Sequence, residues 1–246
     1  MRETHAIEPL HIKGDCIASE LSEADRNRLT RVEGILYAGN TTDLTLPALE
    51  KCGNLDAGYT TGLTLPSLTS VEGDLDARYS ANLTLPALAS VEGNLYASNS
   101  ANLKLPLLER VEGNLYAIES TNLKLPLLTS CGYLDAAGST NLTLPLLTSV
   151  GGYLNAENTT DLTLPSLESV DRSLYASNSA NLKLPLLESC RNLYAEDSTG
   201  LLIPVAIASK HSIHAECLAA VPEQSHVEKA LSELQNDNES LNQGIK

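Results

Sequence analysis

Phenylalanine and tryptophan are absent from this 246-residue chain, and methionine occurs once. Without those large, irregular fillers an interior has to be built from Leu, Ala, Val and Cys, which suits thin repeated layers better than an ordinary globular core. Basic residues are scarce: 16 Lys and Arg stand against 31 Asp and Glu, a formal net charge of -15. Nucleic-acid phosphates are normally met by clustered Lys and Arg, so direct DNA or RNA binding is not expected. The charge keeps an elongated molecule soluble and would also attract a partner with a basic surface. No apolar run reaches the roughly 18 residues of a membrane span, and the opening "MRETHAIEPLHIKGD" lacks the basic-then-apolar order of an export signal. Five cysteines, an odd number, fit a reducing compartment better than a disulfide framework. The expected location is therefore the cytoplasm.

What the chain does have is repetition. Pro47, Pro66, Pro86, Pro106, Pro126, Pro145, Pro165, Pro185 and Pro204 follow one another at intervals of 19 or 20 residues. A fixed period of that size means a solenoid. One unit reads "NLKLPLLERVEGNLYAIEST", from Asn102 to Thr121. In it Leu103 and Leu105 alternate with Lys104 as a short strand with one buried face, and Pro106 ends that strand at a corner. Leu108 and Val111 return to the core, "EG" turns, and "NLYA" makes a second strand with Leu115 and Ala117 inward and Tyr116 outward. Ile12 and Val32, and Cys16 and Leu36, keep the same offset of 20, which makes residues 12–34 a degenerate first coil with "ADRN" in place of "LTLP". At the other end "LLIPVAIASKHSIHA" reads as a terminal coil. Wherever Cys replaces the inward Val, at Cys52, Cys131 and Cys190, the next turn is one residue shorter. These read as buried structural thiols in pinched corners, too many coils apart to pair.

The expected architecture is an all-β solenoid, a parallel β-helix of about ten coils over residues 1–222, with a C-terminal amphipathic α-helix over 223–246. Val227, Leu231, Leu234 and Leu241 form that helix's apolar stripe. It serves either to pair two protomers into a homodimer or to cover the last coil.

The repeat, seen as "LPALASVEGNLYA" and "LPLLTSVGGYLNA", resembles the leucine-rich "LPxLTSVGG" repeats of bacterial and phage proteins, and more distantly the receptor L-domain type of β-helical leucine-rich repeat. The resemblance covers residues 12 to about 216. It implies a right-handed parallel β-helix and a scaffold whose members bind different partners, and it transfers no functional residue. The asparagine ladder of long leucine-rich repeats is not evident, which favours a compact tube over a wide horseshoe.

Functional groups in a regular solenoid stand out as breaks or files. The outward position of the second strand runs Ile17, Tyr37, Asp56, Asp76, Tyr96, Tyr116, Asp135, Asn155, Tyr175, Tyr194, His214. Asp56 and Asp76 fall on adjacent coils at a separation that a carboxylate pair of a retaining glycosidase could use, but two exposed carboxylates on a ladder are more often simply solvated. Two tyrosine pairs, Tyr96 with Tyr116 and Tyr175 with Tyr194, offer contact area to a partner or stack on each other. His211, His214 and Cys217 have ligand-like spacing, but residues three apart on a strand face opposite ways, so no metal or cofactor is expected. Glu72, Glu92 and Glu112, with Glu33 and Asp171, form an acidic ridge beside the inward Val. Such a row either imitates phosphates toward a basic groove or deters sideways aggregation of the rod.

These readings give a non-enzymatic protein-binding scaffold. Together with the phage-like repeat they suggest an inhibitor that blocks a basic nucleic-acid-handling or defence protein in a host cytoplasm. A structural oligomerisation module and a carbohydrate or small-ligand binder using the Tyr and Asp file are the other classes left open.

Overall fold

A computed structural model describes residues 8–210, which form a parallel β-solenoid of about nine turns. Each coil closes on itself by two left-handed residues three apart, such as Asn99 and Asn102 at φ 55° and 57°. The same pair recurs in nine successive coils, from Asn40 and Asp43 to Asp197 and Gly200. Asn, Asp and Gly fill almost all of these positions because only they enter that region cheaply.

Closure at a constant perimeter stacks each residue on its counterpart one coil away. Leu75, Leu95, Leu115 and Leu134 are paired rung by rung in parallel register, as are Val71, Val91 and Val111. The expected offset of the first coil holds, with Ile12 beside Val32 and Cys16 beside Leu36. Among the described residues, all sixteen strands belong to one sheet. Inside lies a column of Leu, Val, Ala and Cys, nearly all fully buried, with no aromatic residue among them. A further inner file carries hydroxyls: Thr60, Ser80 and Thr159 are buried and donate to the carbonyls of Ala57, Ala77 and Ala156.

The first strand of the unit is thinner than its sequence alternation suggests. Leu103 and Leu105 are buried and Lys104 exposed, as expected, but only Lys104 joins the ladder, in single bridges to Thr84 and Lys124. The left-handed Asn102 on one side and Pro106, which lacks an N–H, on the other leave room for one ladder residue.

Both ends depart from the repeat. At the N-terminal end a helix, Glu23–Arg28, takes the place of the "LTLP" segment. The Ser22 side chain caps it by accepting the Asp25 N–H at 3.1 Å, and Arg28 pairs with Asp25 at 2.8 Å. At the other end the anticipated coil does not continue past Pro204: Val205–Lys210 is helical, and Ile207 is buried against the last Leu layer. The remainder of that coil, with His211, His214 and Cys217, lies outside the described residues. So do the 223–246 helix and its Val227, Leu231, Leu234 and Leu241.

Two of the shorter turns after cysteine, at Cys52 and Cys190, are accommodated as bulges. Val32 pairs with Cys52 and Val170 with Cys190, and the register then slips by one before Ile35 meets Asn54 and Ser173 meets Asn192. Cys52 and Cys131 are buried free thiols, and Cys190 is half-buried.

One expectation is corrected. The bend before the second strand does carry a side-chain ladder: Asn54 Oδ1 accepts the Asp74 N–H, Asp74 that of Asn94, Asn94 that of Asn114, and Asn114 that of Tyr133, at 2.7 to 2.9 Å. The ladder satisfies backbone donors that the bend would otherwise strand. Its mixed Asn and Asp composition conceals it in the sequence. Replacing Asn114 by Ala should therefore cost about 1–2 kcal/mol, since the Tyr133 N–H loses its acceptor, whereas Asn114→Asp keeps an acceptor there and should cost little. Urea denaturation of the two variants checks this.

Candidate interaction surface

All nine tyrosines, the protein's only aromatic residues, lie outside the core. The second strand of the coil places five of them, Tyr37, Tyr96, Tyr116, Tyr175 and Tyr194. Its inward Leu and Ala fix the strand's orientation, so the residue between them must point out, as Tyr96 does between Leu95 and Ala97. Tyr96 and Tyr116 are register partners with ring centroids 5.1 Å apart and planes 4° from parallel. Tyr175 and Tyr194 repeat this at 5.1 Å and 8°.

Between these two expected pairs the outer file holds Asp135 and Asn155, and here the aromatic path changes column. Tyr133 and Tyr153, each two residues earlier and just ahead of the second strand, fill the gap. Tyr133 meets Tyr116 edge-on at 5.8 Å and Tyr153 at 6.3 Å, and Tyr153 reaches Tyr175 at 6.1 Å. Six tyrosines thus run unbroken from Tyr96 to Tyr194. Column-by-column reading of the repeat misses this continuity. The signal for it was the appearance of Tyr in the neighbouring column in the same two coils where the outer file loses it.

A second pair was missed as well. Tyr59 and Tyr79 occupy left-handed corner positions, at φ 55° and 56°, where most other coils carry Asn, Asp or Gly. The rings stack at 4.7 Å and 12°, yet remain 61% and 50% exposed. Left-handed backbone costs a bulky residue about 1–2 kcal/mol, and these exposed rings recover little of it by burial. Arg78 stands at the near end of the main path, its guanidinium 5.5 Å from the centre of the Tyr96 ring.

The carboxylates of the outer file prove to be turn caps. Asp56 accepts the N–H of Gly58 at 3.1 Å, Asp76 that of Arg78 at 3.0 Å, Asp135 that of Ala137 at 3.2 Å, and Asn155 that of Glu157 at 3.1 Å. Asp56 and Asp76 are register partners, as the repeat predicts, but Asp76 is also chelated by Arg78, with Nη2 to Oδ2 at 2.6 Å. An acid and base couple needs two carboxyls held in contrasting environments, and this pair shares one capping role instead.

The acidic ridge is present in part. Glu72, Glu92 and Glu112 follow register-paired valines on successive coils and are exposed. Arg31 holds Glu72 at 2.8 Å from two coils away, Arg110 pairs with Glu112, and His11 lies 3.1 Å from Glu33. Among the described residues Glu92 forms no ion pair, so the ridge is a row of local pairs with one free carboxylate between them. No group of three or more His, Cys, Asp and Glu able to hold a metal occurs among the described residues, and none of their helices is long and apolar enough to cross a membrane.

The chain matches no family model, no curated protein and no solved structure. Its likeness to the "LPxLTSVGG" repeats rests on the motif alone.

Burial governs the thiols of the core. It pushes Cys52 up to about 12, with Glu72 adding to the effect, and Cys131 up to about 12. A thiol that stays protonated in the folded state but ionises in the unfolded chain near 9 contributes stability that is intact below pH 9 and lost as pH rises toward 12. The stability of the wild type should therefore fall more steeply between pH 9 and 11 than that of a Cys52→Ala, Cys131→Ala double variant. Parallel curves from urea melts across that window would remove the thiols as the cause.

Proposed function

We propose that this protein is a non-enzymatic binding scaffold whose tyrosine path engages a partner protein with a basic surface. The observation that carries the reading is the arrangement of aromatics on the outside: of nine outer rings, six lie in one continuous path. Tyrosine brings large contact area at little entropic cost and dominates protein interfaces for that reason. The surrounding charge supports a basic partner, through the overall excess of Asp and Glu and through the two arginines that already lie over tyrosine rings, Arg78 on Tyr96 and Arg172 on Tyr153.

Inhibition of a nucleic-acid-handling or defence protein by phosphate mimicry is the sharper form of the proposal. Arg31 on Glu72 and Arg110 on Glu112 weaken a mimicry built on the ridge alone. The tyrosine path is accordingly the principal surface and Glu92 an accessory to it. A glycan would use the same rings, and salt separates the two, because ring stacking on a neutral sugar is insensitive to ionic strength.

Affinity capture from a bacterial lysate, comparing the wild type with a Tyr96→Ser, Tyr116→Ser, Tyr175→Ser, Tyr194→Ser variant at low and high salt, tests the proposal. A basic protein retained by the wild type at low salt, and lost both with the four substitutions and at high salt, is the expected result. Equal retention by both proteins would overturn it.

A further inference from the structure

The Asp76, Arg78 and Tyr96 group is a worked example of how this face holds a guanidinium. Asp76 and Tyr96 are register partners in the outer file. Arg78, two residues after the Asp, is chelated by that carboxylate at 2.6 to 3.1 Å and lies 5.5 Å over the Tyr ring. A guanidinium is planar, weakly hydrated and well matched to both a carboxylate fork and an aromatic face. The chain has provided its own ligand there.

The same ingredients recur around Asp135 without the in-chain arginine. Asp135 is the register partner of Tyr116, and Ala137 stands where Arg78 stands in the earlier coil. Three rings follow one another beside this rung in successive edge-on contacts, Tyr116 with Tyr133 at 5.8 Å and 71°, and Tyr133 with Tyr153 at 6.3 Å and 87°. The Tyr133 hydroxyl donates to Asp135 Oδ2 at 3.3 Å, which ties the carboxylate to the middle ring. Arg172 already places its guanidinium 5.4 Å from the centre of the Tyr153 ring and donates to that hydroxyl at 3.4 Å, so at least one ring of the cluster accepts this group.

We infer that the cluster of Tyr116, Tyr133, Asp135 and Tyr153 is the seat of an arginine side chain from the partner protein. This rests on the tyrosine path being the binding face. It goes further by naming the side chain recognised, a guanidinium rather than an ammonium, and the rung at which it docks. Arg172 is the in-chain competitor for the same rings.

The test uses fluorescein-labelled hexa-arginine and hexa-lysine peptides, titrated into the full chain and followed by anisotropy. Asp135→Asn removes the charge and keeps the turn, because Asn155 makes the identical cap one coil away. Glu50→Gln removes an equal charge at an exposed position far along the chain and serves as the control. Hexa-arginine is expected to bind more tightly than hexa-lysine. Asp135→Asn should weaken it roughly three- to fivefold, Glu50→Gln by less than about twofold, and Arg172→Ala should strengthen it about twofold or more. Equal binding of the two peptides, or equal effects of Asp135→Asn and Glu50→Gln, would reduce the interaction to net charge and overturn the inference. Capture of a partner that depends on the four outer tyrosines but ignores Asp135→Asn would sink this inference alone and leave the binding face in place.

Discussion

Every coil of this solenoid has to close at the same perimeter, and two left-handed residues three positions apart impose that closure. A coil that closed late would shift each following residue by one rung and turn inward leucines outward. The corners thus decide whether the sheet ladders, the leucine column and the tyrosine path exist at all. Where the perimeter shortens by one, at Cys52 and Cys190, the slip is absorbed in a bulge at the corner, and Leu55 and Leu193 still find their partners.

From that constraint follows the division of residue types. A tube with so small a cross-section has room for Leu, Val, Ala and Cys in layers, and no aromatic residue enters it. Rings are thereby confined to the outside, where parallel register brings them within contact distance of one another. The same register brings carboxylates together, and the fold manages them by using Asp56, Asp76 and Asp135 as turn caps and by setting arginines against Asp76, Glu72 and Glu112. What remains on display is an aromatic face with carboxylate and guanidinium groups woven into it.

Much of the fold was legible because stacking demands repetition. The offset of 20 that joins Ile12 to Val32 is visible in the letters, and so is the shortened turn after each of Cys52, Cys131 and Cys190. The helices at Glu23–Arg28 and Val205–Lys210 were not, since end coils have one neighbour only and escape the demand for identity. For the surface, Tyr96 with Tyr116 and Tyr175 with Tyr194 were readable as file neighbours. Tyr133 and Tyr153 were not, because their contacts run diagonally between files and depend on side-chain reach. The capping role of Asp56 and Asp76 was hidden for another reason: an Asx turn is a matter of backbone angle two residues on, which a column of letters does not carry.

The central claim is that no aromatic ring enters the interior and all nine lie on the outside. Solution NMR of the protein labelled at tyrosine rings and leucine methyls, with a neutral paramagnetic agent added, measures it directly. The account predicts broadening of all nine tyrosine signals while the inward leucines, Leu115 and Leu134 among them, stay sharp. A tyrosine signal as protected as those methyls would place a ring in the core and contradict it.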